Sequence, residues 1–267
     1  MNPSRIPEPL RLVLQRFDHL LTAFSGGVDS TCLLAAAAAV LGVERVLGLT
    51  ALSPTLPASE RQEAEALARR LGVRLILRET RELDHPEFAA NGPDRCFHCK
   101  SALFTLGRAM IDKLPEPSRW SIAYGANADD LLDIRPGMEA ARRMGIHAPL
   151  LEAGMNKAAV RELSRALGLP TADKPAFACL SSRFPTFTVI DAARLRQVEL
   201  AEEVLREHKF RVFRVRYHGA LARVELGLDE LGRLDNVCLK TRLTQRILET
   251  GFQRVEFDPR GYRMGGR

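Results

Sequence analysis

The sequence predicts an α/β protein: a parallel sheet with helices on both faces, followed by a small C-terminal α+β domain. Over the first two-thirds of the chain, apolar runs of strand length alternate with segments of helical periodicity. This βαβ rhythm is typical of a parallel sheet. After Pro175 the rhythm stops, and a loop, a long helix and a hairpin follow. We therefore divide the chain into a first domain over residues 1–175, a linker at 176–186 and a second domain over 187–267.

The elements of the first domain follow from hydrophobic periodicity and from helix stop signals. Residues 19–24 predict the first strand, and the Ala/Leu-rich helix after it ends at Gly42. A second strand leads into a helix that we expect Ser59 to cap and Gly72 to end. Further along we predict strands at 73–80 and 120–127, and helices at 99–114 and 156–168.

The second domain shows the same signals in a different order. Residues 191–210 predict a long helix, and two strands within 210–226 turn near Gly219. A helix over 238–251 and a strand over 252–258 complete the domain. A hairpin between helices, rather than a further βαβ unit, indicates an α+β arrangement.

Composition limits the classes of function. The chain has 267 residues and a formal net charge of +6, but it has no Lys/Arg block and only 6% aromatic residues. We therefore expect a phosphate-bearing small molecule rather than a nucleic acid as partner. No apolar run reaches the ~20 residues of a membrane span. The N-terminal residues lack the apolar segment of a secretory signal, so we expect a cytoplasmic protein with no membrane partner.

The stretch AFSGGVDST, residues 23–31, lies where the first predicted strand meets the first long helix. Backbone N–H groups at a helix N-terminus bind phosphate, and glycine lets the backbone approach without a Cβ. No Lys follows the glycines as in a Walker A loop, and the spacing is not that of a dinucleotide fingerprint. The sequence thus predicts a phosphate-binding loop of another type, with a simple tight turn as the alternative.

The motif SGGVDS resembles the PP-loop of ATP pyrophosphatases, which have an adenine nucleotide alpha hydrolase-like fold. The resemblance implies that ATP is cleaved between its α and β phosphates, with Mg²⁺ nearby. It places pyrophosphate on Ser25, Gly26, Gly27, Asp29 and Ser30 and makes Asp29 a catalytic residue. It also implies that an acceptor oxygen is adenylylated, which turns AMP into a leaving group for a nucleophile.

The chain has five cysteines. An odd number in a reducing compartment argues against a disulfide framework. Two of them, Cys32 and Cys238, stand in predicted helices, and we expect both to be buried packing residues.

The remaining three cysteines suggest the nucleophile. Cys96 and Cys99 have the C-x-x-C spacing of metal and redox sites, and Cys179 stands in a predicted loop. Three thiolates suit three corners of a [4Fe–4S] cluster and leave one iron open to carry sulfide. The alternatives are zinc with His98 or His85 as the fourth ligand, and three unrelated thiols.

Several motifs occur together in the order and at about the spacing of the LarE family, namely SGGVDST, DRCFHCK, GANADDLLDIRPG, ACLSSRFP and RVRYH. This resemblance covers essentially the whole chain. LarE proteins are ATP-dependent sulfur transferases that convert the carboxylates of pyridinium-3,5-biscarboxylic acid mononucleotide to thiocarboxylates. Their product becomes the nickel-pincer nucleotide cofactor. The resemblance implies this nucleotide substrate, and relatives suggest a homo-oligomer; it does not identify the sulfide source.

The LarE resemblance implies one of two modes of sulfur delivery. In one, a cysteine gives up its own sulfur and becomes dehydroalanine; in the other, three cysteines hold a [4Fe–4S] cluster that relays sulfide. The sacrificial donor of relatives falls at Ala178, one residue before Cys179, and this chain has the pair Cys96 and Cys99. Both features favour the cluster, with Cys179 as sacrificial donor still open. A tRNA-thiolating PP-loop enzyme is a further alternative, against which stands the lack of a zinc-ribbon module.

The motif RVRYH predicts an anion-binding strand. In a strand, Arg214 and Arg216 project to the same face, and two arginines on one face suit a phosphate clamp. The alternative is a solvated face of a surface strand. The LarE resemblance assigns this motif, together with Ser182 and Arg183, to the phosphate of the substrate.

The motif GANADDLLDIRPG follows the fourth predicted strand. Ligands bind at the carboxyl edge of open parallel sheets. We therefore expect Asp129 and Asp130 to serve Mg²⁺ or substrate, and Arg135 to bind a nucleotide phosphate. Capping of the loop by its own Asn and Asp side chains is the alternative.

Overall fold

The computed structural model describes residues 2–132, 135–175 and 178–262. Residues 133–134 of the GANADDLLDIRPG motif and 176–177 of the predicted linker lie outside the described residues. The chain forms two compact units. The first contains the described residues up to Glu82 and from Pro93 to 175, and the second contains Leu83–Gly92 and the described residues from Ala178 onward.

The helices and strands have the following bounds. The strands are β1 His19–Ala23, β2 Val46–Leu52, β3 Arg74–Glu79, β4 Trp120–Tyr124, β5 Phe213–His218, β6 Leu221–Leu226 and β7 Arg254–Phe257. The α-helices are α1 Glu8–Leu14, α2 Val28–Leu41, α3 Ala58–Leu71, α4 Pro86–Ala89, α5 Arg95–Ile111, α6 Pro136–Arg143, α7 Pro149–Glu152, α8 Lys157–Ala166, α9 Ala192–Glu207 and α10 Val237–Leu248. Short 3-10 segments lie at Pro3–Arg5, Val43–Arg45, Glu82–Asp84, Pro117–Arg119, Ala128–Leu132, Leu180–Arg183 and Leu228–Asp235. Among the described helices, none is long and apolar enough to cross a membrane.

The sheet of the first unit is parallel and is covered by helices on both faces. Its strand order is β3-β2-β1-β4. Successive residues of β1 point to opposite faces: Leu20 packs in a buried cluster with side chains of α1, α2 and α8. Leu21 packs in another cluster with Phe104 and Ile111 of α5. The predicted α/β class is therefore confirmed.

The strand order of this sheet reverses beside β1. Strands β2 and β3 lie on one side of β1, and β4 lies on the other. In open parallel sheets, ligands bind outside the carboxyl ends of the strands at such a reversal. The loops that leave β1 and β4 approach closely here, since a Cβ on Gly125 would lie 2.8 Å from the backbone nitrogen of Ser30. This edge is the candidate site of the first unit.

The sheet of the second unit has the order β5-β6-β7, with β5 and β6 antiparallel and β6 and β7 parallel. Val215 and Val224 of this sheet share a buried cluster with Leu243 and Ile247 of α10 and with residues of α9. The hairpin turns at Gly219, as predicted. The small extra sheet with helices on one face is the predicted α+β arrangement.

The segment Leu83–Gly92 belongs to the second unit although it precedes α5 in the chain. Backbone hydrogen bonds hold it there: the Phe187 nitrogen donates to the Asn91 carbonyl at 3.0 Å, and the Ile190 nitrogen donates to the Ala89 carbonyl at 2.8 Å. The Asn91 side chain also donates to the Pro185 carbonyl at 2.9 Å. No periodicity in the sequence marks this excursion.

Three local predictions differ from the structure. Helix α3 begins at Ala58, and its N-cap residue is Pro57, which has an extended ψ of 147°. Ser59 already lies within the first helical turn and therefore does not cap the helix. Helix α5 begins at Arg95 rather than at Cys99, because its polar first turn carries no apolar periodicity. Cys238 is exposed, since α10 packs through its later residues.

Candidate functional site

The glycine loop between β1 and α2 is held by its own serine side chains. The Oγ of Ser30 accepts a hydrogen bond from the Ser25 nitrogen at 3.2 Å and donates to the Gly27 carbonyl at 3.2 Å. Gly26 has a φ of +72°, in the left-handed region that glycine enters without strain. Gly27 is the N-cap residue of α2 and has no side chain to cap it. The first N–H groups of α2 have no intrahelical acceptor and are available to an anion.

The Asp29 carboxylate lies in the first turn of α2 and is held on both oxygens. Lys157 Nζ lies 2.5 Å from Asp29 Oδ2, and Asn127 Nδ2 donates to Asp29 Oδ1 at 3.3 Å. Lys157 is the first residue of α8, and Asn127 follows β4. Sequence analysis missed both partners, because these contacts join residues that are far apart in the chain.

Arg135 is connected to the same network. It lies 2.6 Å from Asp130 Oδ1, and Asp130 Oδ2 accepts from the backbone nitrogen of Asn127 at 3.1 Å. Asp129 Oδ2 accepts from the Lys157 nitrogen at 3.0 Å. Asp130 therefore caps its own loop at Asn127, as the alternative interpretation has it, whereas Asp129 holds the first backbone nitrogen of α8. Their predicted roles toward Mg²⁺ or substrate stay predictions.

Lys174 joins the glycine loop to α3. Its Nζ lies 2.8 Å from Glu60 Oε2, 2.7 Å from Glu63 Oε2 and 3.5 Å from the Gly26 carbonyl. Burial acts to lower the pKa of Lys174, but the hydrogen bonds and charges of the two glutamates outweigh burial and raise that pKa. Lys174 is therefore a charged crosslink between α3 and the glycine loop. Nothing in the sequence around Lys174 indicated this role.

We expect Lys174→Met to lower the free energy of unfolding at pH 7 by about 1–3 kcal/mol, because the Glu60 carboxylate loses its partner while buried. A raised pKa means that the folded chain holds the Lys174 proton more tightly than the unfolded chain does. The contribution is therefore complete below the ordinary lysine pKa of 10.5 and is lost as the pH rises through the folded value. Urea denaturation at neutral and alkaline pH measures the difference. The exposed Lys113→Met is the control and should change stability by less than about 0.5 kcal/mol; equal effects of the two variants would contradict the crosslink.

In the second unit, the buried Arg183 side chain holds the backbone of residues 178–179, which we call the Cys179 loop. Its side chain is 0% exposed and forms two hydrogen bonds to Glu202, from Nε at 2.8 Å and from Nη2 at 3.0 Å. Its Nη1 donates to the carbonyl of Cys179 at 3.1 Å and to that of Ala178. Cys179 is half-buried at the start of the 3-10 segment Leu180–Arg183. The guanidinium of Arg183 thus fixes the backbone on which the Cys179 thiol stands.

The two arginines of β5 lie beside this loop. Arg216 donates to the Ser182 carbonyl at 2.9 Å and to Glu225 Oε2 at 3.0 Å. Arg214 is only 7% exposed. Burial, and then the positive charge of Arg183, lower the pKa of Arg214. The structure therefore brings the predicted phosphate residues Ser182, Arg183, Arg214 and Arg216 into one basic region of the second unit.

The predicted cluster ligands are divided between the units. Cys96 and Cys99 lie three residues apart at the start of α5 in the first unit, and a spacing of three places side chains on one helix face. Cys179 belongs to the second unit. Within either unit, the described residues contain no group of three or more His, Cys, Asp or Glu side chains arranged to hold a metal ion. His98 is paired with Asp94 at 3.2 Å.

Cys32 has the buried environment that we predicted. Burial is the main cause that raises the pKa of its thiol to about 12. Because the thiolate is the reactive form of cysteine, Cys32 is excluded as a sulfur nucleophile at neutral pH.

Comparison with known proteins adds an independent observation. No protein-family model matches the chain. The chain is 38% identical over 263 residues to an uncharacterized protein of Synechocystis, an alignment that covers 97% of this chain and 95% of that protein. It is 32% identical over 252 residues to the pyridinium-3,5-bisthiocarboxylic acid mononucleotide synthase of Lactiplantibacillus plantarum, covering 94% of this chain and 90% of that enzyme. An uncharacterized protein of Methanocaldococcus jannaschii is 25% identical over 237 residues, covering 88% and 87% of the two chains.

Proposed function

Because this chain belongs to the LarE family, which includes the pyridinium-3,5-bisthiocarboxylic acid mononucleotide synthase of Lactiplantibacillus plantarum, we propose that it is an ATP-dependent sulfur transferase. Its substrate is pyridinium-3,5-biscarboxylic acid mononucleotide, whose carboxylates it converts to thiocarboxylates for the nickel-pincer nucleotide cofactor. ATP adenylylates a carboxylate, and sulfide then displaces AMP. The glycine loop at the strand reversal of the parallel sheet supports this proposal most strongly, because it offers backbone N–H groups to an anion.

The first unit carries out the ATP-dependent half of the reaction. Pyrophosphate binds to the backbone of the glycine loop at residues 25–30, and Arg135 binds a nucleotide phosphate. The Asp29 carboxylate is the group that would hold Mg²⁺, which neutralises phosphate charge during cleavage. Lys157, 2.5 Å from Asp29, adds a positive charge at the same place. These charges stabilise pyrophosphate as a leaving group.

The second unit binds the acceptor. Arg216 and Arg214 provide the positive charge that a phosphate monoester needs, and the Ser182 hydroxyl adds a neutral hydrogen-bond donor. Arg183 is a positioning residue here, since its guanidinium is buried against Glu202 and the Cys179 carbonyl. The acceptor phosphate is thereby held in the same unit as the Cys179 thiol.

Sulfur delivery depends on Cys179 and on the pair Cys96 and Cys99. Cys96 is exposed, Cys99 is half-buried, and both lie on one face of α5, so they can supply two thiolate ligands of a [4Fe–4S] cluster. The LarE resemblance implies Cys179 as the third ligand. Such a cluster would supply sulfide from its open iron. Arg183 holds the Cys179 backbone in place for this role. Sacrifice of the Cys179 sulfur is the second candidate, and Cys179 is essential in both.

We expect Cys179→Ser to abolish thiocarboxylate formation while pyrophosphate release from ATP continues, because the glycine loop is in the other unit. The test is a single turnover of anaerobically purified protein with ATP and the biscarboxylic mononucleotide. Pyrophosphate, thiocarboxylate and iron are measured together with the intact mass of the chain. Cys238→Ser removes an exposed thiol of α10 and is the matched control, which should retain full activity.

The outcomes separate the alternatives. Iron-bearing protein with an unchanged chain mass supports the cluster, whereas dehydroalanine at Cys179 supports sacrificial donation. Iron-free protein that turns over with an intact Cys179 contradicts both. Pyrophosphate release that requires tRNA rather than the mononucleotide would favour the tRNA-thiolating alternative. Association into a homo-oligomer and a cytoplasmic location stay predictions.

A further inference from the structure

The three-stranded sheet of the second unit has two outer edges, formed by β5 and β7. An edge strand leaves a row of backbone N–H and C=O groups that pairs readily with another chain. The β5 edge is occupied from within the chain, because the Val215 nitrogen donates to Glu202 Oε1 at 3.1 Å. Arg214, Arg216 and His218 also share one face of β5, so two β5 edges would repel each other. The β7 edge differs in both respects.

The backbone of β7 alternates between β6 and the outer edge. The nitrogens of Arg254 and Asp258 donate to carbonyls of β6 and of the residue before it, at 3.1 Å and 2.8 Å. Successive residues of a strand direct these groups to opposite sides, so Val255 and Phe257 direct theirs outward. Within the described chain, no backbone hydrogen bond outside the pairing of β6 with β7 uses Val255. The outer edge of β7 is therefore open.

The side chains of β7 alternate between a helical face and a charged face. Val255 and Phe257 pack against the core that the strands share with α9 and α10. Arg254 and Glu256 therefore project to the face of the sheet that carries no helix, and both are exposed. Glu256 stands opposite Arg223 within the chain. The charged face of β7 thus carries one positive and one negative residue, in contrast to the uniformly basic face of β5.

This alternation makes β7 complementary to a second copy of itself. Two β7 strands related by a two-fold axis pair antiparallel, and each side chain stays on its own face. With the axis at Val255, the two Val255 residues exchange both backbone hydrogen bonds, and Arg254 stands opposite Glu256 of the second copy on either side of the axis.

Other positions of the axis bring like charges together. An axis at Arg254 or at Glu256 sets that residue opposite its own copy, and an axis at Phe257 sets Glu256 opposite Asp258. Opposite charges directly across an antiparallel pair stabilise a sheet, and like charges destabilise it. The charge pattern therefore selects the register centred on Val255.

Helix α10 carries an exposed stripe with little charge. Val237 and Leu248 are 73% and 36% exposed. Thr241 and Thr244 lie between them at spacings of four, three and four residues, which places all four side chains on one helix face. We call these four residues the α10 stripe.

The α10 stripe lies on the β7 side of the helix. Lys240, its neighbour on the helix surface, places Nζ 5.9 Å from the ring centroid of Phe257, whereas Arg246 on the opposite side pairs with Glu207 of α9. As the crossover between the parallel strands β6 and β7, α10 packs against both. Neighbouring strands are about 4.8 Å apart, so continuing the sheet across β7 brings α10 to about 10 Å from its symmetry mate, the separation of packed helices.

We propose that the β7 edge and the α10 stripe form the interface through which two copies of this chain associate. The dimer has a two-fold axis at Val255 and a continuous six-stranded sheet, with the α10 stripes of both copies in contact beneath it. The occupant of this surface is a second copy, because only a strand with the same alternation of charge in the reverse direction matches Arg254 and Glu256 together. The interface is independent of the proposed sulfur transfer.

Sedimentation and light scattering of the full chain over a concentration series test this interface. We expect the mass of two chains or of an even multiple. Arg254→Glu should weaken association about 10-fold or more, because two like-charge pairs replace two opposite-charge pairs. Glu256→Arg should have the same effect, and the double variant Arg254→Glu/Glu256→Arg should restore association. Arg242→Glu makes the same charge change at an exposed position of α10 outside the stripe and should leave association unchanged.

A backbone variant tests the strand pairing itself. Val255→Pro removes the outward N–H, which the pairing with β6 does not use, so the variant should fold and lose association. Val255→Ala shortens the same side chain but keeps the N–H, and should associate more tightly than Val255→Pro at a comparable melting temperature. A single-chain mass for the wild type at every concentration overturns the interface, as does equal association of Arg254→Glu and Arg242→Glu. A double charge variant that associates as weakly as its two single variants overturns the register.

Discussion

Gly125→Ala is expected to reduce pyrophosphate release from ATP by about 100-fold, the scale of loss that a displacement of roughly 1 Å in a catalytic group produces. A Cβ at this position would lie 2.8 Å from the Ser30 nitrogen and 2.9 Å from the Asp29 carbonyl carbon. Both atoms belong to the backbone, so no side chain can rotate to relieve the contact. The end of β4 and the start of α2 must therefore separate, and the glycine loop moves with α2.

The control for this prediction is Gly232→Ala. Gly232 is a glycine without positive φ, like Gly125, but the nearest atom to an added Cβ is Asp235 Oδ2 at 4.0 Å. Gly232→Ala should keep pyrophosphate release unchanged, whereas Gly125→Ala should also lose about 1–3 kcal/mol of stability through overpacking. Pyrophosphate release and thermal melting are measured on both variants. If the Gly125→Ala protein is folded and releases pyrophosphate at the wild-type rate, ATP is not cleaved at this loop.

Arg183→Met is expected to lower the free energy of unfolding by about 3–5 kcal/mol, because it leaves a buried carboxylate without its counter-ion. The Arg183 and Glu202 side chains are 0% and 2% exposed, so water cannot replace the lost partner. The carbonyl groups of Ala178 and Cys179 lose a donor at the same time. Urea denaturation of the purified variant measures the loss.

A second substitution separates charge from loop geometry. Glu202→Gln in the Arg183→Met background removes the unpaired charge but retains an oxygen to accept from the Val215 nitrogen, which donates to Glu202 Oε1 at 3.1 Å. The double variant should recover most of the stability, because a neutral pair replaces a broken ion pair. Thiocarboxylate formation should stay low, since the Cys179 loop still lacks its donor. Equal destabilisation of the single and double variants would refute the charge explanation.

Much of the fold was predictable because its signals are local. The apolar run of β1, the Ala/Leu helix α2 and the glycine pair between them predicted the strand, the helix and the position of the loop that joins them; phosphate binding by this loop stays a prediction. The alternation of the RVRYH strand placed Arg214 and Arg216 on one face, and Gly219 predicted the hairpin turn. Each of these depends on residues within one element or at its boundary.

The missed features depend on contacts between distant parts of the chain. Lys157 reaches Asp29, and Lys174 reaches Glu60, across more than a hundred residues. Arg183 was predicted from its motif as a phosphate ligand, and the structure shows its guanidinium held by Glu202 of α9. A lysine or an arginine has the same local signature whether it meets solvent, a ligand or a buried carboxylate.

By itself, the sequence determined the α/β class and the residues of strand β5, because both follow from hydrophobic periodicity. It also determined the position of the glycine loop, from the backbone freedom of glycine, and the family, from the order of the motifs. Only the tertiary structure decided which charged side chains are paired and which are not. Arg216 and Arg223 illustrate the difference, since they come face to face only through the register of β5 and β6. The physical reason is that charge pairing depends on distance and burial, which the fold sets between residues that the sequence separates.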